Sequence, residues 1–190
     1  MPDDSYAAVL PFVAWKNAFT AAELDLIEAY GDALAHQKAG VDAEGAEADR
    51  LRISRTAWME PKPEIAWVYD RMAQLVATIN DRVYQFDLQG FSEPFQFAVY
   101  NADERAHFDW HMDQGRLKVQ RKLSLTLQLT EPSRYEGGDL QFLVRRNIDA
   151  APRERGVLIA FPSYTLHRVT PVTSGTRKSV VAWLTGPKFR

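Results

Sequence analysis

The chain has no cysteine in its 190 residues. That single absence removes disulfides, thiolate metal sites and cysteine nucleophiles, and with them zinc-finger and papain-like chemistry. An excess of either charge is also missing: 23 basic and 25 acidic side chains leave a formal charge of -2, too weak a field to gather polyanions or anionic lipid. Nucleic acid is therefore not implied as a partner. No apolar run approaches the roughly 20 residues that cross a bilayer. The opening MPDDSYAAVLPF is acidic where a secretory leader would be basic. The expectation is a soluble, cytoplasmic protein with no membrane partner. Repeats and low-complexity tracts are absent too, and nothing in the sequence sets an oligomeric state.

What the chain does have is 46% hydrophobic residues, enough for one well-buried domain at this length. Thr20 and Glu23 have the spacing of a capping box, and Leu24, Ile27, Tyr30 and Leu34 follow at helical period. A helix is predicted from Ala21 to about Ala39, with Gly40 as its stop. GVDAEGAEADR then reads as a surface loop. A second helix is predicted from Ile65 to Asp81 on the stripe Ile65, Val68, Met72, Leu75, Val76 and Ile79.

From Phe95 the period changes to two. Leu123, Leu125, Leu127 and Leu129 alternate with Ser124, Thr126, Gln128 and Thr130, and Phe95, Phe97 and Val99 behave alike. Further strands are predicted at Leu140 to Val144, Gly156 to Phe161, Leu166 to Thr170 and Arg177 to Leu184. Ser174 and Gly175 suggest a tight hairpin carrying the chain from His167 back to Arg177 on an adjacent strand. The organisation expected is a single domain, residues 1–190, with N-terminal helical support over 1–90 and a β-core over 91–190.

Chemistry concentrates in WHMDQG and LHRVTPVTSGTRKS. In an extended segment His111 and Asp113 point to one face and can approach one ion, and His167 supplies a second imidazole 54 residues after Asp113. Two imidazoles and a carboxylate form the facial-triad ligand set of non-haem Fe(II) sites, which leaves coordination positions open. The bland alternative is that the histidines are ordinary hydrogen-bonded residues and Asp113 begins an Asx turn. Arg177 weighs against it, because a guanidinium grips a carboxylate through two parallel hydrogen bonds, as a dicarboxylic co-substrate would need. By alternation Arg177, Ser179, Val181 and Trp183 share one strand face, so the cation leads an increasingly apolar row. If the leucines of 123–129 face helices, then Ser124, Thr126 and Gln128 line an interior whose polarity implies a ligand or ordered water. Solvent exposure is the competing reading of that polar face. Trp110 and Phe108 flank the ligands as mouth or core; His107 has a supporting or surface role; Arg55, Arg121 and Arg168 contact substrate or form ion pairs. Ser163 in FPS reads as a turn residue, since no nucleophile elbow is present.

The tracts FQFAVYNADERAHFDWHMDQG, RKLSLTLQLT, YEGGDLQF, GVLIAFPSYTLHRV and GTRKSVVAW, taken in that order, resemble the iron(II) and 2-oxoglutarate dependent dioxygenases, in the prolyl 4-hydroxylase and PKHD-type branch. The resemblance covers roughly Leu51 to Pro187. It implies a mainly β fold, a double-stranded β-helix or cupin-like jelly roll with supporting helices. It implies that His111, Asp113 and His167 are catalytic and ligate Fe(II), and that Arg177 binds the far carboxylate of 2-oxoglutarate. Tyr100 matches the family's tyrosine before the metal tract. Gln128 stands near a position where relatives use a tyrosine toward the co-substrate, and Ser179 joins them as a cofactor-binding residue. Dioxygen is the other co-substrate, and ascorbate is a stimulant in this chemistry. The activity implied is hydroxylation of an unactivated C–H bond, on a prolyl or other amino-acid side chain of a protein or peptide. The alternatives are the same chemistry on a free amino acid or small metabolite, and a non-catalytic cupin-like metal sensor.

Overall fold

A computed structural model describes residues 11–39, 47, 50–114 and 120–188. In chain order its strands are β1 (Val13–Trp15), β2 (Gln37–Lys38), β3 (Arg52–Ile53), β4 (Arg55–Met59), β5 (Gly90–Phe91), β6 (Phe95–Asn101) and β7 (His107–His111). They continue with β8 (Arg121–Gln128), β9 (Tyr135–Gly137), β10 (Leu140–Val144), β11 (Asn147–Ala150), β12 (Leu158–Pro162), β13 (His167–Val169) and β14 (Val172–Thr185). The two long helices among the described residues are α1 (Ala21–Asp32) and α2 (Ala66–Ile79). No described helix is long and apolar enough to cross a membrane.

The larger sheet runs β1-β12-β8-β14-β6-β4-β2, with β5 and β9 also pairing β14; the smaller runs β11-β10-β13-β7-β3. Alternation decides which side chains lie on which face. Leu123, Leu125, Leu127 and Leu129 are all fully buried in a cluster with Leu24 and Ile27 of α1 and Val68, Met72 and Val76 of α2. Each such leucine stabilises the fold by roughly 1.5–3 kcal/mol. A second cluster, including Tyr100, Phe142, Ile159 and Phe161, joins residues of both sheets. The result is the expected mainly β architecture: two sheets with a pocket between them and helices against the larger sheet.

The capping box forms as predicted: Thr20 Oγ1 accepts from the Glu23 N–H at 3.3 Å, and the Thr20 N–H donates to Glu23 Oε2 at 2.7 Å. Gly31 lets α1 sit close to the sheet, since a Cβ there would strike the Phe97 ring. The predicted extension to Ala39 does not occur, because α1 ends at Asp32 and Gln37–Lys38 pair with Thr56 and Arg55 of β4 instead. Sheet pairing overrides local periodicity here, and the Gly31 carbonyl, which accepts from the Leu34 N–H at 3.2 Å, also meets His36 Nε2 at 2.9 Å. Of the loop predicted over 40–50 only Glu47 and Arg50 are described, and both are helical instead.

Two other expectations are corrected. Residues before 90 contribute strands β1 to β4 as well as helices. The Ser174–Gly175 hairpin is absent: β13 pairs β10 and β7, whereas β14 runs unbroken through Gly175 and pairs β9, β6 and β8. Gly175 has φ +69°, and a Cβ there would collide with the Arg134 carbonyl, so it bends one strand across β9 instead of reversing the chain.

Candidate metal centre

His111 ends β7, and His167 lies directly opposite it in register on β13. One strand pair thus closes the long sequence separation. Asp113 follows two residues after β7, fixed by its N–H donating to the Ser163 carbonyl at 2.9 Å. Ser163 Oγ in turn bonds Ser124 Oγ at 2.9 Å. His111 Nε2 lies 3.7 Å from Asp113 Oδ1, and His167 Nε2 lies 3.7 Å from Asp113 Oδ2. One donor atom from each residue falls within 4.8 Å of the others. The three donors are of the kind, and lie close enough together, to hold one metal ion.

The protonation pattern suits a cation. His111 Nδ1 faces the Asp109 carbonyl at 2.7 Å and His167 Nδ1 faces the Thr165 carbonyl at 2.8 Å. A carbonyl only accepts, so both protons sit on Nδ1 and both Nε2 lone pairs point at the cluster. Burial, reinforced by the neighbouring His167, pushes the His111 pKa down to about 3 against the pull of Asp113. Burial opposes ionisation of Asp113, but the adjacent imidazoles and the donors Trp183 and Ser124 hold its carboxyl below the usual range. At neutral pH His111 is therefore a neutral imidazole and Asp113 a carboxylate.

This sign has a consequence for the metal-free protein. An unfolded histidine takes up its proton near 6.5, while folded His111 resists until about 3. Protons therefore favour the unfolded chain, and the stability is present above pH 6.5 and lost as pH falls toward 3. The melting temperature of metal-free protein should drop between about pH 7 and 5, and the drop should be shallower in His111→Asn. Equal slopes in the two proteins would refute the assignment.

Trp183 was placed by alternation on the inner face, but its partner was not foreseen. Its indole N–H donates to Asp113 Oδ2 at 2.9 Å, and the Arg121 guanidinium covers its ring at 3.8 Å. Arg121 is itself held by both Glu93 oxygens, at 2.7 and 2.6 Å. Replacing Trp183 with Phe keeps the ring and removes the donor. We expect roughly tenfold weaker Mn(II) binding by calorimetry, as for other residues that orient a metal ligand.

Arg177 lies on β14 opposite Tyr100 of β6, and is 1% exposed. Its Nη2 donates to Gln128 Oε1 at 2.9 Å, its Nη1 reaches Ser179 Oγ at 3.5 Å, and Nε has no partner. The Tyr100 ring lies 5.4 Å away. No carboxylate among the described residues pairs with it, so a buried cation points into the pocket with only neutral company. That arrangement is costly until an anion arrives. Gln128 does face inward, but its amide N–H is turned to the Pro152 carbonyl at 3.2 Å and not to the pocket. A buried guanidinium demands an acceptor, so the amide oxygen faces Arg177 and the nitrogen must face away.

One pocket is lined by His111, Asp113, His167, Arg177, Tyr100 and Ser179. Phe108 also lines it, stacked on His111 with ring centroids 3.4 Å apart. Trp110 is turned away, with Arg168 over its ring at 4.5 Å. His107 directs its ring nitrogens to the carbonyls of Arg105 and Arg50, and Arg55 pairs with Glu104. Arg52, Gln96 and Thr126 line the pocket as well. Alternation puts Thr126 inside; Gln96 lies within the FQFAVYNADERAHFDWHMDQG tract but has no role of its own there, and Arg52 carries no signal.

Residues 95–185 match the model of the 2OG-Fe(II) oxygenase superfamily. The chain is 34% identical over 101 residues to a PKHD-type hydroxylase of Synechococcus sp. (strain CC9311), covering 51% of this chain and 46% of that protein. A PKHD-type hydroxylase of Hyphomonas neptunium (strain ATCC 15444) is 31% identical over 105 residues, covering 51% and 47%. The chain therefore spans about half the length of these relatives. Among solved structures, a Pseudomonas putida prolyl-4-hydroxylase superposes with TM-score 0.74 at 22% identity, covering 94% of each chain. A prolyl hydroxylase of Trichoplax adhaerens, in complex with a hypoxia inducible factor peptide fragment, gives TM-score 0.73 at 16% identity, covering 92% of this chain and 83% of that one. These two likenesses concern the fold.

Proposed function

We propose that residues 95–185, which match the 2OG-Fe(II) oxygenase superfamily, form a domain of the PKHD and prolyl-4-hydroxylase-like branch, and that this protein is an Fe(II)- and 2-oxoglutarate-dependent hydroxylase. Its substrate in this reading is a prolyl or other amino-acid side chain. The observation that carries the proposal is the unpaired, buried Arg177 facing the same pocket as the three-ligand cluster. A metal sensor needs the cluster alone; a buried cation beside it supports a dicarboxylate co-substrate.

When bound, iron, 2-oxoglutarate and dioxygen supply hydroxylation of a C–H bond, with the co-substrate converted to succinate and carbon dioxide. The protein's share is placement. His111, Asp113 and His167 would hold the ion beside the pocket, as a three-ligand set that leaves room for the co-substrate. Arg177 fixes the far carboxylate of the co-substrate, with Gln128 and Ser179 holding the guanidinium and Tyr100 covering it. Trp183 keeps one Asp113 oxygen in place. Phe108 packs on His111 and, with Val169 and Leu140, keeps that wall of the pocket apolar.

The direct test is succinate formation from 2-oxoglutarate in air with added Fe(II), with and without ascorbate, against a panel of proline-containing peptides and free amino acids. Iron-dependent succinate is the expected result. No succinate under any of these conditions would leave the sensor reading in its place.

A further inference from the structure

The pocket holds a second buried cation. Arg52 is 8% exposed, and it belongs to β3, which pairs with the β7 strand that carries His111. Its Nε donates to Ser54 Oγ at 2.8 Å, its Nη2 donates to Gln96 Oε1 at 2.9 Å, and its guanidinium lies 4.6 Å from the centre of the Phe108 ring. All three partners are neutral, and no carboxylate pairs with Arg52 among the described residues. The contrast within this chain is clear: Arg155, Arg121 and Lys178 each meet one or two carboxylates. The two buried pocket arginines meet none.

Arg52 and Arg177 share no hydrogen-bond partner. Gln128 and Ser179 hold Arg177 on the large sheet, while Arg52 comes from the small sheet and reaches across to Gln96. A dianionic co-substrate on Arg177 and the metal leaves the pocket one positive charge in excess, counting a divalent ion, the Asp113 carboxylate and both guanidinium groups. One further carboxylate neutralises it. Phe108 links this pole to the metal ligands, because it stacks between Arg52 and His111.

We propose that Arg52, positioned by Gln96, receives a carboxylate of the molecule being hydroxylated. The substrate is then an amino-acid residue that carries its own free carboxylate, either as a free amino acid or at a peptide C-terminus. This rests on the oxygenase reading above, and it narrows the substrate class of that same site.

The test measures binding without turnover. Protein loaded with Mn(II) and 2-oxoglutarate under nitrogen is titrated with free proline, lysine, asparagine and leucine, each as the acid and as its primary amide. Acetylated tetrapeptides ending in the same residues, as acids and amides, form the second arm. At least one free acid should bind, with its amide about tenfold weaker or worse, since a charge-assisted pair is lost. Binding in the first arm, the second or both identifies the source of the carboxylate. Arg52→Gln should shrink the acid–amide gap to about twofold without changing the affinity for 2-oxoglutarate. Arg52→Lys should keep part of the gap, and Gln96→Leu should narrow it, so the outcome does not hang on one variant's folding. The proposal fails if no free acid binds, if acids and amides bind alike, if the gap survives in Arg52→Gln, or if that variant instead weakens 2-oxoglutarate. Failure of Mn(II) and 2-oxoglutarate to load the wild-type protein would be a separate result, counting against the oxygenase reading and this one together.

Discussion

Asp113→Ala is expected to reduce iron-dependent turnover by about a thousandfold or more, which corresponds to roughly 4 kcal/mol of lost stabilisation at the metal. Asp113 is the one anionic member of the cluster, and it lies between the two imidazoles, one carboxylate oxygen toward each. Without it the ion would rest on two neutral ligands, and the Trp183 N–H would lose its acceptor. The fold should survive, because the cluster residues sit at a strand pair whose backbone bonds remain. Calorimetric loss of Mn(II) binding with an unchanged circular dichroism spectrum would show the effect to be local. Retained metal affinity in this variant would remove Asp113 from the ligand set.

Arg177 is the second large effect, and its sign depends on what is measured. Truncating one partner of a buried charge pair costs about 2–5 kcal/mol, so Arg177→Met should weaken 2-oxoglutarate on the order of a hundredfold. Mn(II) affinity should stay within about twofold, since Arg177 touches none of the three ligands. Without ligand, however, the variant should melt at or above the wild type. Removing a desolvated guanidinium whose Nε has no partner relieves a cost that only an anion offsets. Adding Mn(II) and 2-oxoglutarate should raise the wild-type melting temperature well beyond that of the variant. A variant that loses stability without ligand and keeps its co-substrate affinity would make Arg177 a structural residue.

Where strands alternate between helices and pocket, the sequence was readable. Leucines 123 to 129 go to the helices and Thr126 and Gln128 to the interior, because period two leaves no other choice once one face is buried. The metal cluster was legible for a related reason: a His-x-Asp in an extended segment fixes two donors locally, and few histidines compete for the third place. The hairpin at Ser174–Gly175 was misread because a glycine with positive φ serves a bulge as well as a turn, and only the partner strand decides which. Helix α1 was overextended because Leu34 keeps helical period and still packs on the core after the chain has left the helix. The partners of Arg52 and Trp183 stay hidden for a third reason. Their roles come from neighbours 44 and 70 residues distant, and no local pattern carries that.

The position of β14 also orders events in time. It lies between β6 and β8 in the large sheet, so those two strands, though close in the chain, meet no partner in each other. Their pairing must wait for residues 172–185, and so must the arrival of Arg177 and Trp183 beside the metal ligands. Assembly dominated by such distant contacts is slow, and it exposes unpaired edges while it proceeds. The three candidate ligands, gathered by the β7–β13 pair, therefore lack the Trp183 donor and the Arg177 cation until the last strand is in place.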